Sequence, residues 1–159
     1  MLRKTDVHIA TPEVDLNSKL LKMKFFFILL FLFCAHALVA QQKPVKIVFD
    51  ITSKDTLTHQ AVLRHVTGMA KSYPNSQFEV VIYGGALPMV LKDKSAVSSA
   101  IQQLSGNKQV SFKVCEQTMK RYNADKSQLL PGVVTVADGI LEIVERQSEG
   151  WGYIKEAHN

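Results

Sequence analysis

The chain has 159 residues, and its formal net charge of +5 is a small excess of 19 basic over 14 acidic side chains. The basic residues are scattered, with no stripe and no aromatic interleaving, which argues against a nucleic-acid partner. The two cysteines, Cys34 and Cys115, are too few for a disulfide scaffold.

Met23 and Lys24 open an apolar run from Phe25 to Phe33, and the small residues Ala35, Ala37 and Ala40 follow it. A basic start, a short apolar stretch and a small-residue cleavage site describe a secretory signal peptide. The run is shorter than the ~20 apolar residues of a membrane span; an uncleaved signal anchor is the competing reading. The expected organisation is an upstream extension or misplaced start over 1–22, a signal peptide over 23–40 and one domain over 41–159. Cleavage after Ala40 leaves 119 residues with 14 basic and 11 acidic side chains, enough for one core. The expected location is periplasmic or secreted, with no membrane span remaining after cleavage. Export removes Cys34. Cys115 is then a lone thiol in an oxidising compartment, where it pairs with another chain, fills a core or does chemistry.

Val45 to Ile51 is a near-continuous apolar run, the signature of a strand covered on both faces. Asp55 or Ser53 caps the helix that follows, whose apolar positions Leu57, Ala61, Val62, Val66, Met69 and Tyr73 recur at helical spacing until Pro74. Phe78 to Tyr83 is the second strand, stopped by Gly84-Gly85. Ala86 to Leu91 is an apolar, irregular piece that covers a site, meets a neighbouring subunit or fills the core. Ser95 is expected to cap a helix that buries Val97, Ala100, Ile101 and Leu104. Val110, Phe112 and Val114 mark a third strand, and Cys115 follows at once. Glu116 to Tyr122 reads as a short helix, Val133 to Val136 as a fourth strand, and Asp138 as the cap of a last helix. Trp151 to Ile154 reads as a final strand. Alternating strands and helices predict a three-layer α/β/α domain around a mostly parallel sheet of about five strands.

Ligands of open α/β sheets bind beyond the carboxyl ends of the strands. Asp50 to Ser53, Tyr83 to Ala86, Cys115 to Thr118 and Ala137-Asp138 occupy those ends. Cys115 also precedes a helix, whose first N–H groups lack internal partners and can point at the sulfur. Helix N-termini lower a thiol pKa from about 8.5 toward roughly 3.5–7.5. Lys113, Lys120 and Arg121 add positive potential and Glu116 opposes it, so a modest lowering is expected. Thr118 is placed to bond the sulfur or to cap the turn. Asp50, Tyr83, Gly84, Gly85 and Asp138 are candidate pocket residues, and Gly84-Gly85 is a candidate cradle for a small anion. His59 and His65, six residues apart, fall on different helix faces and do not form a metal pair. There is no Cys-x-x-Cys, no phosphate-binding loop and no Gly-x-Ser-x-Gly elbow.

The stretch Val110-Ser-Phe-Lys-Val-Cys115-Glu-Gln-Thr-Met119-Lys-Arg resembles the cysteine segment of the DsrE/DsrF-like family of small sulfur-relay proteins. Leu130-Pro-Gly-Val133, Asp138-Gly139 and Glu149-Gly-Trp151-Gly-Tyr153-Ile-Lys155 resemble its carboxyl-terminal half. Val45 to Ile51 and Val80 to Gly85 resemble its first two strands, so the likeness spans residues 45–155. It implies a three-layer α/β fold, assembly into trimers or hexamers, and a cysteine that carries sulfur as a persulfide. That role transfers to Cys115 alone, with Thr118, Gln117 and Lys120 as supporting residues. Gln117 stands where many relatives carry Asn, and Tyr83 to Ala86 replaces a loop that often contains His and Pro.

Two readings stay open. In one, Cys115 accepts sulfane sulfur from a donor and passes it to an acceptor thiol, an exchange that needs no metal and no cofactor. In the other, the domain is a non-catalytic small-ligand-binding or oligomeric scaffold module, and Cys115 is packed in its core.

Overall fold

Five short strands, β1 (Lys46–Ile51), β2 (Gln77–Ile82), β3 (Val110–Cys115), β4 (Val133–Val136) and β5 (Gly152–Lys155), pair in the order β4-β3-β2-β1-β5. Every pairing is parallel. The expected three-layer fold is therefore found, with a sheet parallel throughout. The computed structural model describes residues 19–28 and 43–157. The chain divides into two units, Met1–Gln42 and Lys43–Asn159.

In the first unit a helix, α1, covers residues 19–28 and keeps its side chains exposed. It runs through Met23 without a break. The rest of the expected upstream extension and signal peptide, including Cys34 and both cleavage positions, lies outside the described residues. No helix among the described residues is long and apolar enough to cross a membrane.

The second unit is built around the sheet. The central strands are buried on both faces, as their continuous apolar runs require: Val48, Phe49, Asp50 and Ile51 of β1 are all buried. Helix α2 (Thr56–Ser72) is capped by Asp55, whose carboxylate accepts from the N–H groups of Leu57 (3.2 Å) and Thr58 (3.1 Å). Ser53 supports the cap by accepting from the Asp55 N–H at 3.1 Å. Helix α3 (Ser98–Ser105) begins later than expected and has no side-chain cap. The Ser95 hydroxyl closes the turn ahead of the helix: it donates to the Met89 carbonyl at 2.6 Å and accepts from the Val97 N–H at 3.2 Å. Helices α4 (Glu116–Arg121) and α5 (Gly139–Ser148) follow β3 and β4. Asp138 caps α5 by accepting from Ile140 N–H at 2.8 Å and Leu141 N–H at 3.2 Å.

The two faces of the sheet are covered unequally. Helices α2, α3 and α4 and the 3-10 segment Gly84–Val90 contribute to the larger core, built on Phe49, Ile51, Phe78, Val80, Ile82, Phe112 and Val114. Of the readings of the Ala86 to Leu91 piece, core filling is the one its burial supports: Ala86, Leu87, Met89, Val90 and Leu91 all belong to that core. The other face is covered by α5, which buries Ile143 against Val48 and Val81, with Tyr83 and Trp151 packed at the margin. Ile140, Leu141 and Val144 of α5 are left more than half exposed. After β4, α5 carries the chain to the far side of β1. The carboxyl end of β1, beside β5, is consequently a point where strand order reverses, the place where open α/β sheets bind ligands.

Candidate functional site

Strand register decides which side chains meet at the carboxyl edge. Val110, Phe112 and Val114 belong to the larger core, so Ser111, Lys113 and Cys115 alternate onto the face beneath α5. The same alternation puts Asp50 of β1 and Tyr83, just beyond β2, on that face. Asp50 pairs with Lys155 and Val48 with Tyr153, so both polar side chains of β5 come to Asp50.

Cys115 ends β3 and is the N-cap of α4, with its backbone extended at φ −71° and ψ 121°. It is a free cysteine, 5% exposed. Its side chain makes no capping hydrogen bond, so the expected N–H donors of α4 do not reach the sulfur. Instead, the first turn of α5 lies against the residue. A β-carbon built on Gly139 would stand 3.2 Å from Cys115 Cβ and 3.4 Å from Tyr83 Cβ. A side chain there would require Cys115 and Tyr83 to give by a few tenths of an ångström.

Beside the thiol, a polar cluster is organised on Asp50, which is buried. Its Oδ2 accepts from the Tyr153 hydroxyl at 2.7 Å and its Oδ1 from Lys155 Nζ at 2.9 Å. Lys155 Nζ also donates to Thr52 Oγ1 at 2.7 Å and lies 5.7 Å from the centre of the Tyr83 ring. Burial first, and then the Asp50 carboxylate, push the Tyr83 hydroxyl from 10.0 up to about 12. Tyr153 is raised as well, because its hydroxyl donates to Asp50. Both phenols are neutral donors at ordinary pH.

Of the expected site residues, Cys115, Tyr83 and Asp50 are brought together. Asp138 adjoins them through Gly139, although its carboxylate is engaged in capping α5. Thr118 is buried but does not bond the sulfur: its hydroxyl accepts from the Gly84 N–H at 3.0 Å, fixing the loop after β2. Gly84 has φ +57°, a conformation that favours glycine. Gly85 packs closely against the backbone of Thr52 and Lys54. Gln117 and Lys120 are exposed on α4, away from the cluster's hydrogen bonds. The Glu116 carboxylate, expected to oppose a thiolate, is held by Lys126 at 2.7 Å and by the Thr135 hydroxyl at 2.8 Å. Those bonds, Lys126 first, lower its pKa.

The sequence reading missed Tyr153, Lys155 and Gly139 as site residues. The alternation Tyr153-Ile154-Lys155 was visible, but its partner strand was not. His59 is buried and its Nε2–H donates to the Ser53 carbonyl at 2.8 Å, whereas His65 is exposed and meets Glu156 at 3.0 Å. They face different surroundings, as their spacing requires. Among the described residues no group of three or more His, Cys, Asp or Glu side chains is arranged to hold a metal.

This arrangement, a single cysteine at the carboxyl edge of a five-stranded parallel sheet, coincides with the extent of a known family. The DsrE/DsrF-like family matches over residues 46–155. The chain belongs to the DsrE/DsrF-like family. A solved protein of unknown function from Methanobacterium thermoautotrophicum is similar at 31% identity and a TM-score of 0.66, over 70% of this chain and 98% of that one. The ychN protein from E. coli shares the fold at 13% identity and a TM-score of 0.59, over 72% of this chain and 99% of its own. A conserved protein of unknown function from Bacteroides thetaiotaomicron does so at 14% identity and a TM-score of 0.56, over 69% and 93%. No curated protein matches the chain. A DsrE/DsrF-like fold implies a sulfur-relay type of scaffold.

Proposed function

We propose that this DsrE/DsrF-like protein is an exported sulfur carrier that holds sulfane sulfur as a persulfide on Cys115. The observation that carries the reading is the position of the thiol: the end of a central parallel strand, beside the Asp50–Tyr83–Lys155 cluster. The Cys115 thiolate attacks the outer sulfur of a donor persulfide, the donor's S–S bond breaks, and the donor leaves as a thiolate. An acceptor thiolate then attacks the outer sulfur of Cys115–S–SH, and Cys115 returns as a thiolate. No net oxidant is consumed. Neutral Tyr83, which meets the same turn of α5 as Cys115, supplies a donor near a sulfur that carries negative charge in both steps.

Export rests on the leader pattern over residues 23–40. A homo-oligomer, a trimer or hexamer, is supported by the uncovered side chains Ile140, Leu141 and Val144 of α5 and by Val134 of the edge strand β4, each at least 51% exposed.

The alternative is a non-catalytic binding or scaffold module with Cys115 as a packed residue. Its support is specific: 5% exposure and no hydrogen bond to the sulfur from the α4 N-terminus. Intact mass after incubation with polysulfide, compared with Cys115→Ser, separates the two. Added sulfur masses, reversible by thiol and absent in the variant, are expected. No adduct on native protein, with thiol labelling only after denaturation, would leave the scaffold reading.

A further inference from the structure

A concavity lined in part by Gly85, and not by Cys115, lies elsewhere on the domain. It is a cleft of about 300 Å³ between the 3-10 segment Gly84–Val90 and the loop that follows α4. Leu87 and Leu91 form a buried apolar floor, with Pro88 between them. Lys54 and Lys94 line the cleft, as does Tyr122, which is 55% exposed. No acidic residue lines it.

Several lysines of the domain are engaged. Lys126 is paired with Glu116, Lys155 with Asp50, and Lys92 Nζ donates to the Ser127 carbonyl. Lys54 and Lys94 have no carboxylate partner among the described residues, yet both line one apolar hollow. Gly85 makes this possible, because a β-carbon there would stand 2.9 Å from the Thr52 carbonyl oxygen and 3.4 Å from the Lys54 nitrogen. Its absence lets the Thr52–Lys54 backbone close on the loop and bring Lys54 to the cleft. An apolar floor with a few convergent cations is the lining of a small-molecule site.

We propose that this cleft binds a small, partly apolar organic anion, a carboxylate or sulfonate of roughly ten to fifteen non-hydrogen atoms. The anionic group sits between Lys54 and Lys94, and the apolar body lies on Leu87 and Leu91 beside the Tyr122 ring. An exposed ion pair is weak by itself, so both the cations and the floor are needed. The site is independent of any chemistry at Cys115.

The test is a titration of ¹⁵N-labelled protein with naphthalene-1-sulfonate, followed by amide shifts. Saturable shifts are expected at Gly85, Leu91, Asn123 and Gln128, and they persist in Cys115→Ser. Naphthalene-1-methanol, which keeps the rings and lacks the charge, is expected to bind at least tenfold more weakly. Lys54→Glu with Lys94→Glu is expected to cost at least tenfold, and the milder Lys54→Gln with Lys94→Gln severalfold. Both pairs are exposed, and thermal denaturation verifies that the variants are folded. Equal binding to the charge-reversed variant, shifts confined to Ile140 and Val144, or no saturable shift at millimolar probe would overturn the proposal.

Discussion

Gly139 is in close contact with Cys115: a β-carbon on the glycine would stand 3.2 Å from that of the cysteine. The first turn of α5 is therefore the cover of the thiol, and its approach is set by the missing side chain. Gly139→Val forces three carbons into space held by Cys115 and Tyr83. Overpacking of this kind costs about 1–3 kcal/mol. Thermal denaturation is expected to show that loss, and a thiol reagent is expected to label native Cys115 faster than in wild type. A valine variant with unchanged stability and labelling would show that the turn yields without uncovering the sulfur.

Tyr83 carries a pH dependence of definite sign. Its hydroxyl is raised from 10.0 to about 12 in the fold, so the folded state holds that proton more tightly than the unfolded chain. The contribution is fully present below pH 10 and is lost as pH rises through about 12. Tyr83 is only partly buried, and solvent screening reduces the effect to about 1–2 kcal/mol. Tyrosinate absorbance is expected to include a late-titrating ring that Tyr83→Phe removes. The variant's stability should also fall less steeply than wild type above pH 10. Tyr153 is raised too and remains, so the assignment fails if Tyr83→Phe titrates as many late rings as wild type.

Asp50 holds two donors of β5 at once, Tyr153 and Lys155. Asp50→Asn preserves the shape but removes the charge and turns one acceptor into a donor. The expected cost is about 1–3 kcal/mol, the range for a buried polar group left mispaired. Chemical denaturation at pH 7 measures it. Because β5 is an edge strand held on one side by β1, hydrogen exchange should quicken in Gly152–Lys155 before the central strands.

The apolar stripe on α5 gives a test of assembly. Ile140 and Val144 are one turn apart and exposed, so Ile140→Glu with Val144→Glu leaves the monomer's core intact. Light scattering after size-exclusion chromatography is expected to show an oligomer in wild type and a smaller species in the variant. An identical mass for both would remove this face from any interface.

Much of this architecture was legible in the chain because each cue was local. The apolar runs of β1 and β2 and the Asp55 and Asp138 caps each act within a few residues, and the elements fell where they pointed. Ser95 misled for a physical reason. A serine before an apolar periodic segment looks like a cap, and its hydroxyl does accept the Val97 N–H, but that bond closes a turn ahead of α3, which begins at Ser98. The site was half legible. Cys115, Asp50 and Tyr83 stand at strand ends and could be placed on one edge. Tyr153 and Lys155 reach Asp50 across 103 and 105 residues, a juxtaposition fixed by β5 pairing with β1, which no local pattern encodes. The same holds for Gly139, which reads as a helix start until its neighbour is known.

Arg146 ties the far end of α5 to the sheet, and its removal should reveal a buried charge. Its Nε donates to Glu79 Oε1 at 3.2 Å, its Nη2 to Glu142 at 2.7 Å and its Nη1 to Glu149 at 3.0 Å, while the guanidinium lies 5.3 Å from the Trp151 ring centre. Burial, and then Glu142, raise the Glu79 pKa; Arg146 lowers it. A raised carboxyl favours the fold when protonated, so its contribution declines as pH climbs from the ordinary carboxylate range through the raised value. Arg146→Met deletes the opposing cation and widens that window upward. Glu79 is then a buried anion beside Glu142 with the Ser111 hydroxyl at 3.3 Å but no cation, a defect of about 3 kcal/mol near pH 7. As pH falls the proton neutralises Glu79 and the deficit should shrink. Melting temperatures of wild type and Arg146→Met, compared at pH 5 and pH 8, measure this directly. A deficit that is equal at both pH values, or larger in acid, would mean that Arg146 acts through packing on Trp151 and not through Glu79.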